Sequence, residues 1–366
     1  MKIIVAKNEF EDALKILMKA VAVKAQTPIL SGIYFSAQNS YLEMQATDNQ
    51  VGIISKVPAN VEEDGETVII GKKLFEIVQK MTGEVVTIST EDNCAKILSA
   101  GSNFKLLTFK PEDFPKIKQE ENLQKVNLRQ FALKKMIKQT AFAADNLKEL
   151  TRPIFAGVLF DFADKKIRLA ATNTHRLAVA TDNLPESVEN FQFIVPAKIL
   201  QDISAMLNDT GKIEINYTGK SANFIFDNLF VSVRLIAGNF PNFERLLNEE
   251  KTKFAKVVRE EFLQALERVA VIGKETMYRT VDLLFDDDIK ISSTSPEIGT
   301  AEENVVAVIE GGELDISFNY NYLTDALKVI DADKIQIGLT ETLKPIEIKP
   351  VDNESFKYIV TPVRMA

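Results

Sequence analysis

The sequence predicts an α+β protein built from three similar domains, each with two helices packed on antiparallel sheets. Two observations lead to this fold class. Related segments recur along the 366-residue chain at a nearly constant offset, and each unit carries the same order of helical and strand patterns. Self-similarity at a fixed offset is the signature of a repeated structural unit. Units of about 120 residues have an ordinary domain size.

The repeat is clearest between the first two units. Four pairs of equivalent residues are each 125 positions apart: Pro28 and Pro153, Gly32 and Gly157, Thr47 and Thr172, and Lys73 and Lys198. The third unit is more diverged, with Thr294 lying 122 positions after Thr172. We therefore expect domains at 1–122, 126–248 and 253–366, with polar joins at 117–126 and 247–256.

Each unit opens with a strand and an amphipathic helix. In the first helix Phe10, Leu14, Leu17 and Val21 recur at helical spacing, and acidic residues occupy the first turn, which favours a helix N-terminus. Strands rich in β-branched and aromatic residues follow, such as GVLFDF and KIRLAAT, and then a second helix and further strands. The helical stretches are predicted at 9–24, 71–82, 129–148, 196–208, 259–274 and 319–330.

Composition is that of a soluble globular protein, with 46% hydrophobic and 26% charged residues and a net charge of −8. The N-terminus lacks a signal-peptide pattern, and no apolar run approaches the roughly 18 residues that span a bilayer. Cys94 is the only cysteine, which excludes an intrachain disulfide and thiolate metal clusters. We expect a reduced, cytoplasmic protein with no membrane contact, cofactor or metal.

Positive charge is concentrated in the predicted helices. Those six stretches hold 16 basic and 10 acidic residues, so the helices carry +6 and the remainder carries −14. Ordinary solvated helix faces would explain any single helix, but a bias summed over repeated helices favours one shared anionic ligand. Lysines outnumber arginines there, which suits contact with a phosphate backbone better than reading of base edges.

His175 is the only histidine, and it stands beside Arg176 in ATNTHRLAVA. Such a pair could belong to an active site. However, the sequence contains no GxSxG, P-loop or HExxH motif, and a single histidine excludes a His-rich metal site. The equivalent segment of the first repeat, ATDNQVGI, aligns with this motif but contains neither histidine nor arginine. An enzyme is therefore disfavoured, and the pair indicates one specialised surface per chain.

Four motifs are the most specific of the sequence: ATNTHRLAVA, GNFPNFERLL (238–247), FNYNYLTDAL (318–327) and YIVTPVRMA (358–366). In these motifs, and over its whole length, the chain resembles the bacterial DNA sliding clamps, the β subunits of DNA polymerase III. The resemblance implies the DNA clamp fold, closing as a head-to-tail dimeric ring. The implied function is that of a non-catalytic processivity factor of DNA replication.

If the predicted helices line a hole for DNA, their packing geometry favours two chains. Six helices packed about 10 Å apart in a circle leave a hole of about 9 Å, whereas twelve leave about 28 Å, and duplex DNA is roughly 20 Å across. The alternative is a non-encircling DNA-binding adaptor of three repeated domains. The two hypotheses differ in whether the protein leaves linear DNA over its ends but stays on closed circles.

The resemblance also implies two sets of site residues. The DNA-binding positions are Lys24, Lys73, Arg152 and Lys198. A hydrophobic pocket would receive short peptides from the replicative polymerase, the clamp loader and repair proteins. Its matching positions are Phe155, Thr172, His175, Arg176, Leu177, Pro241, Arg245, Leu246, Asn319, Tyr322, Val360, Pro362, Val363, Arg364 and Met365. Leu177 and Leu246 could equally be plain core.

Some residues depart from the family pattern. Asn173 and Thr174 replace the usual aspartate and glycine before the histidine, so a positive φ at position 174 would strain a β-branched residue. Thr361 and Val363 replace methionines, which predicts a reshaped pocket with a different peptide preference. The alternating YIVTPVRM segment predicts a strand that docks rather than a frayed end.

Overall fold

The structure is a computed structural model that describes residues 1–22, 27–118, 124–145, 152–273 and 279–363. Contacts divide the chain into two compact units that differ from the three repeats. From here on, the first unit is Met1–Phe131 with Ala205–Leu235, and the second unit is Ala132–Ser204 with Ile236–Ala366. This division cuts through the second repeat, so the domain boundaries given above remain a prediction. Within the described residues, no helix is long and apolar enough to cross a membrane.

The helices of the described residues are six long ones and one short one. They are α1 (Lys7–Leu17), α2 (Gly71–Lys80), α3 (Gln130–Thr140), α4 (Ala197–Met206), the short α5 (Glu244–Leu247), α6 (Arg259–Gly273) and α7 (Tyr320–Val329). Short 3₁₀ turns occur at Pro28–Ser31, Pro111–Asp113, Ala141–Ala143 and Pro153–Ala156.

The strands of the first repeat are β1 (Lys2–Ala6), β2 (Gly32–Gln38), β3 (Tyr41–Thr47), β4 (Val51–Pro58), β5 (Asn60–Glu63), β6 (Gly65–Ile70), β7 (Val85–Glu91), β8 (Cys94–Ser99) and β9 (Ser102–Phe109). Those of the second are β10 (Gln124–Arg129), β11 (Gly157–Thr172), β12 (Arg176–Pro196), β13 (Lys212–Tyr217), β14 (Ser221–Phe226) and β15 (Leu229–Arg234). Those of the third are β16 (Lys253–Val258), β17 (Thr280–Phe285), β18 (Ile289–Ser295), β19 (Gly299–Val305), β20 (Ala307–Glu310), β21 (Leu314–Asn319), β22 (Lys334–Leu339), β23 (Ile346–Pro350) and β24 (Phe356–Val360).

Hydrogen-bonded strand pairs join neighbouring repeats. In the first unit, β15 pairs with β4, so strands of the first and second repeats form one 13-stranded antiparallel sheet. In the second unit, β12 pairs with β24 inside a seven-stranded sheet, which joins the second repeat to the end of the third. A separate four-stranded sheet has the order β19-β18-β17-β21. The antiparallel α+β prediction is confirmed.

The three repeats share one order of elements. An opening strand leads into a helix (β1–α1, β10–α3, β16–α6), and a later strand leads into the second helix (β6–α2, β12–α4, β21–α7). The apolar faces of these helices are buried, as at Phe10, Leu14 and Leu17 of α1. Recurrence of the predicted pattern in each repeat confirms the internal repeat.

The helices are shorter than the sequence predicted. For example, α1 ends at Leu17 and α3 ends at Thr140, where the hydroxyl donates to the Met136 carbonyl at 2.8 Å. The six long helices contain 12 basic and 9 acidic residues. Within these described helices the positive excess comes from α2 and α3, and Lys24, Lys148 and Lys274 of the predicted stretches lie outside the described residues.

Candidate functional site

The turn between β11 and β12 carries the histidine. Thr172 Oγ1 donates to the Arg176 carbonyl at 2.7 Å and accepts from the Thr174 N–H at 3.1 Å. Asn173 Oδ1 accepts from the N–H groups of His175 and Arg176, both at 3.1 Å. These bonds present His175 outward, and its imidazole lies 6.3 Å from the Tyr322 ring, nearly parallel to it.

The first repeat contains the same turn. Thr47 Oγ1 donates to the Val51 carbonyl and accepts from the Asn49 N–H, and Asp48 Oδ1 accepts from the next two N–H groups. The position equivalent to Thr174 is Asn49, and the two have φ of 76° and 71°. Asparagine tolerates this left-handed conformation, whereas threonine is strained in it. The predicted strain at Thr174 is confirmed.

Arg176 lies behind this surface rather than on it. Its side chain is 8% exposed, with Nη1 donating to Asp325 at 2.7 Å and Nη2 donating to the Phe142 carbonyl at 2.5 Å. The guanidinium also lies over the Tyr322 ring, 4.8 Å from its centroid. Arg176 therefore fixes the ring that stacks on His175, and it does not line the cavity described below.

Tyr358 supports Tyr322 from the opposite end. Its hydroxyl donates to the Tyr322 carbonyl at 2.8 Å. Burial raises the pKa of this hydroxyl far above its usual range, so it remains a donor at all relevant pH values. Tyr322 is thus held by contacts to both its ring and its backbone.

The strand predicted in YIVTPVRM is present up to Val360, whereas Thr361, Pro362 and Val363 continue outside a strand. β24 pairs with β12 in the register Arg176 to Val360. Beyond it, the Thr361 N–H and hydroxyl both donate to the His175 carbonyl at 2.9 Å, and the Val363 N–H donates to the Ser317 carbonyl at 2.8 Å. Arg364 and Met365 lie outside the described residues.

A cavity of about 940 Å³ opens beside His175. Five predicted pocket residues line it: His175, Asn319, Tyr322, Pro362 and Val363. Six further lining residues were not in the predicted set: Thr174, Arg279, Asn321, Leu343, Pro345 and Thr361. Asn319 also caps α7, because its Oδ1 accepts from the Asn321 N–H at 3.0 Å. This group of lining residues is called the groove below.

The β-branched residue and the longest side chain among the left-handed positions both lie at the groove. The described residues include nine non-glycine positions with positive φ, and seven of them are Asn, Asp, Ser or Ala. The other two are Thr174 and Arg279, and both line the groove. Strained backbone persists where the surroundings fix it, and it clusters at ligand-binding sites.

The remaining predicted pocket residues separate into a buried and an exposed group. Phe155, Leu177 and Val360 are buried, and Leu177 belongs to a core cluster with Phe243 and Ile359. Thr172 is half-buried and holds the turn. Pro241, Arg245 and Leu246 are exposed around α5. None of these residues lines the groove.

Arg168 attaches the α5 segment to β11. Its guanidinium contacts Asp161 at 2.7 Å and Glu244 at 2.6 Å and lies over the Phe243 ring at 4.9 Å. Burial lowers the pKa of Arg168, but hydrogen bonds from the guanidinium to both carboxylates outweigh that effect and raise it. Phe243 and Leu247 meanwhile pack on the core cluster. Pro241, Arg245 and Leu246 are thereby presented on a fixed segment.

The predicted DNA-binding residues are exposed where the structure describes them. Lys73 on α2 forms an ion pair with Glu76 at 2.9 Å, Lys198 is in the first turn of α4, and Arg152 precedes a 3₁₀ turn. Lys24 lies outside the described residues.

Throughout the described ranges, no group of three or more His, Cys, Asp or Glu side chains is arranged to hold a metal ion. Cys94 is a half-buried free thiol on β8 in the first unit, whereas His175 belongs to the second. Among the described residues, a thrice-repeated α+β domain with a groove at the His175 turn has the organisation of a docking scaffold.

Comparisons with known proteins identify which scaffold this is. Models of the N-terminal, central and C-terminal domains of the DNA polymerase III beta subunit match residues 1–118, 127–242 and 244–364. The beta sliding clamp of Staphylococcus epidermidis is 30% identical, with 100% of this chain and 99% of the relative covered. The chain belongs to the bacterial DNA sliding clamps, the β subunits of DNA polymerase III.

Solved structures agree with this assignment. The DNA polymerase sliding clamp of Bacillus subtilis has a TM-score of 0.96 at 29% identity, and the DNA polymerase III beta subunit of Thermotoga maritima has a TM-score of 0.92 at 27% identity. Each comparison covers 100% of this chain and 100% of the solved chain. The family is a non-catalytic accessory subunit of the polymerase, which removes the enzyme hypothesis for His175.

Proposed function

We propose that this chain is the processivity factor of DNA replication, acting in the cytoplasm. Two copies close head to tail into a ring around duplex DNA and slide along it. Each copy tethers the replicative polymerase, the clamp loader and repair proteins through short peptides that dock at the groove. The observation that carries the proposal is the end-to-end match to sliding clamps, with the three domain models in order.

Open strand edges support the proposed dimer. Among the described residues of the first unit, β9 pairs with β6 only at Thr108 and Phe109, and the earlier part of β9 pairs only with β8. This part exposes Phe104 and Leu107, the latter by 73%. In the second unit, β19 is an edge strand, and Val271 on α6 is 63% exposed. Open edges with exposed apolar residues favour pairing with another chain.

The dimer predicts a solution mass of about 82 kDa, twice the 40.9 kDa of one chain. We expect Leu107→Asp to shift the mass towards one chain, because it places a charge in the proposed interface. Leu343→Asp is the matched control, since Leu343 is also exposed but lines the groove. A wild-type monomer at micromolar concentration would contradict the dimer.

Contact with DNA is proposed to be weak and independent of sequence. Lysines bind phosphates as point charges, and such contacts allow a protein to slide. Lys24→Glu combined with Lys198→Glu should reduce retention on primed circular DNA and leave the dimer intact. Lys165→Glu with Lys256→Glu removes the same charge from exposed strand positions and is the control. Unchanged retention in the first pair would refute the DNA assignment.

The groove is the proposed docking site because it combines apolar walls with a few polar groups, as peptide sites do. His175→Ala with Tyr322→Ala removes two neighbouring rings of its wall. We expect this variant to remain dimeric and to stay on circular DNA but to lose stimulation of the polymerase. Full stimulation would place docking elsewhere.

A further inference from the structure

We propose that Arg279 recognises a carboxylate of the docked peptide, so that the groove selects an acidic group beside the apolar anchor. This inference rests on the proposed docking of peptides at the groove. Arg279 was not among the residues that the sequence pointed to.

The charge of the groove is unbalanced. Two of its described lining residues, His175 and Arg279, can carry positive charge, and none is acidic. Arg279 is exposed, and no carboxylate of the described residues forms an ion pair with it. Arg176, in contrast, is neutralised by Asp325 behind the wall. A cation in a concave site attracts an anionic ligand group.

The backbone of Arg279 is fixed at the wall of the groove. Its carbonyl accepts from the Tyr320 N–H at 2.9 Å, and its neighbour Thr280 pairs with Asn319. Its φ of 53° is unusual for a long side chain. A guanidinium attached to a fixed backbone loses less conformational freedom when it binds a ligand group, which increases selectivity.

The chemistry of the ligand follows from these neighbours. A planar guanidinium binds a carboxylate through two parallel N–H···O bonds. Leu343 and Pro345 line the same groove and offer an apolar surface. The carboxylate can come from an aspartate or glutamate side chain or from the C-terminus of the peptide.

Selection from a phage-displayed random dodecapeptide library tests the proposal. The library would be selected on the wild-type dimer, on Arg279→Gln, and on Lys344→Gln as a nearby control that does not line the groove. We expect an acidic residue at one fixed distance from the apolar anchor on the wild type and the control, and loss of that preference on Arg279→Gln. The same preference on all three proteins would overturn the role of Arg279. Failure to enrich any peptide would instead contradict the proposed peptide docking.

The strongest selected peptide then separates the two sources of the carboxylate. One version of this peptide has its acidic side chain changed to the amide, and another has an amidated C-terminus. We expect one of these two changes to weaken binding to the wild type by about three- to fivefold, as for a partly exposed ion pair. The same change should have no effect on Arg279→Gln. An equal loss on both proteins would show that another residue reads the carboxylate.

Discussion

Replacing Thr174 with asparagine should stabilise the protein. The first repeat contains the same turn, with hydrogen bonds at equivalent positions and a similar left-handed φ. The first repeat has Asn49 where the second has Thr174. Because the bonds are the same, the two turns differ mainly in the intrinsic cost of the left-handed conformation.

The size of this effect can be bounded. A left-handed conformation costs an ordinary L-residue about 1–2 kcal/mol, and asparagine recovers part of it through local hydrogen bonding. Thr174 is exposed, so little packing is lost on substitution. We therefore expect Thr174→Asn to raise the free energy of unfolding by about 0.5–1 kcal/mol. Glycine should give less, because it also increases the entropy of the unfolded chain.

Urea and thermal unfolding of the protein at one fixed concentration would measure the change. The reciprocal variant Asn49→Thr is the control, and it should destabilise the protein by a similar amount. If Thr174→Asn destabilises the protein, or if Asn49→Thr has no effect, then the left-handed conformation is not the dominant cost and the reasoning fails.

Three further predictions concern the support of the groove and of the α5 segment. Arg176→Met should lower the free energy of unfolding by about 1–3 kcal/mol and weaken peptide binding. Asp325→Asn should have a milder effect, because Asp325 is partly exposed. If Arg176→Met and the wild type bind peptide with equal affinity in calorimetric titrations, Arg176 has no positioning role. Arg168→Met should increase amide exchange around Glu244, since it releases α5 from β11; unchanged exchange would show that apolar packing alone holds the segment. Tyr358→Phe should cost about 1 kcal/mol in chemical unfolding by removing the hydrogen bond to the Tyr322 carbonyl, and a neutral result would mean that the carbonyl is satisfied within α7.

The fold was largely predictable because the repeat supplies each pattern three times. Apolar periodicity identified the helices, and the constant offset between Pro28 and Pro153 fixed the register of the first two repeats. The ends of the helices were harder to predict. Apolar spacing continues beyond Leu17 and Thr140, where the helices end. Pairing of β15 with β4 and of β12 with β24 could not be predicted, because no local pattern encodes which edges meet.

His175, Tyr322 and Pro362, which were named from their motifs, lie together along the groove. The binding of peptides at this groove stays a prediction. The role of Arg176 was not predictable, because an arginine within a motif looks the same whether it contacts a ligand or lies buried against Asp325. The proposed role of Arg279 has no sequence signal, since it rests on a left-handed backbone that contacts the N-terminus of α7, which is distant in sequence.

Encirclement of DNA is the central claim, and retention on closed and opened circles tests it most directly. The dimer would be loaded onto nicked circular DNA and separated from free protein by gel filtration. The DNA would then be cut once with a restriction enzyme. We expect the protein to stay on uncut circles and to dissociate within minutes after cutting, because topological linkage rather than affinity holds it. Equal retention on circular and linear DNA would contradict the ring and favour a non-encircling adaptor.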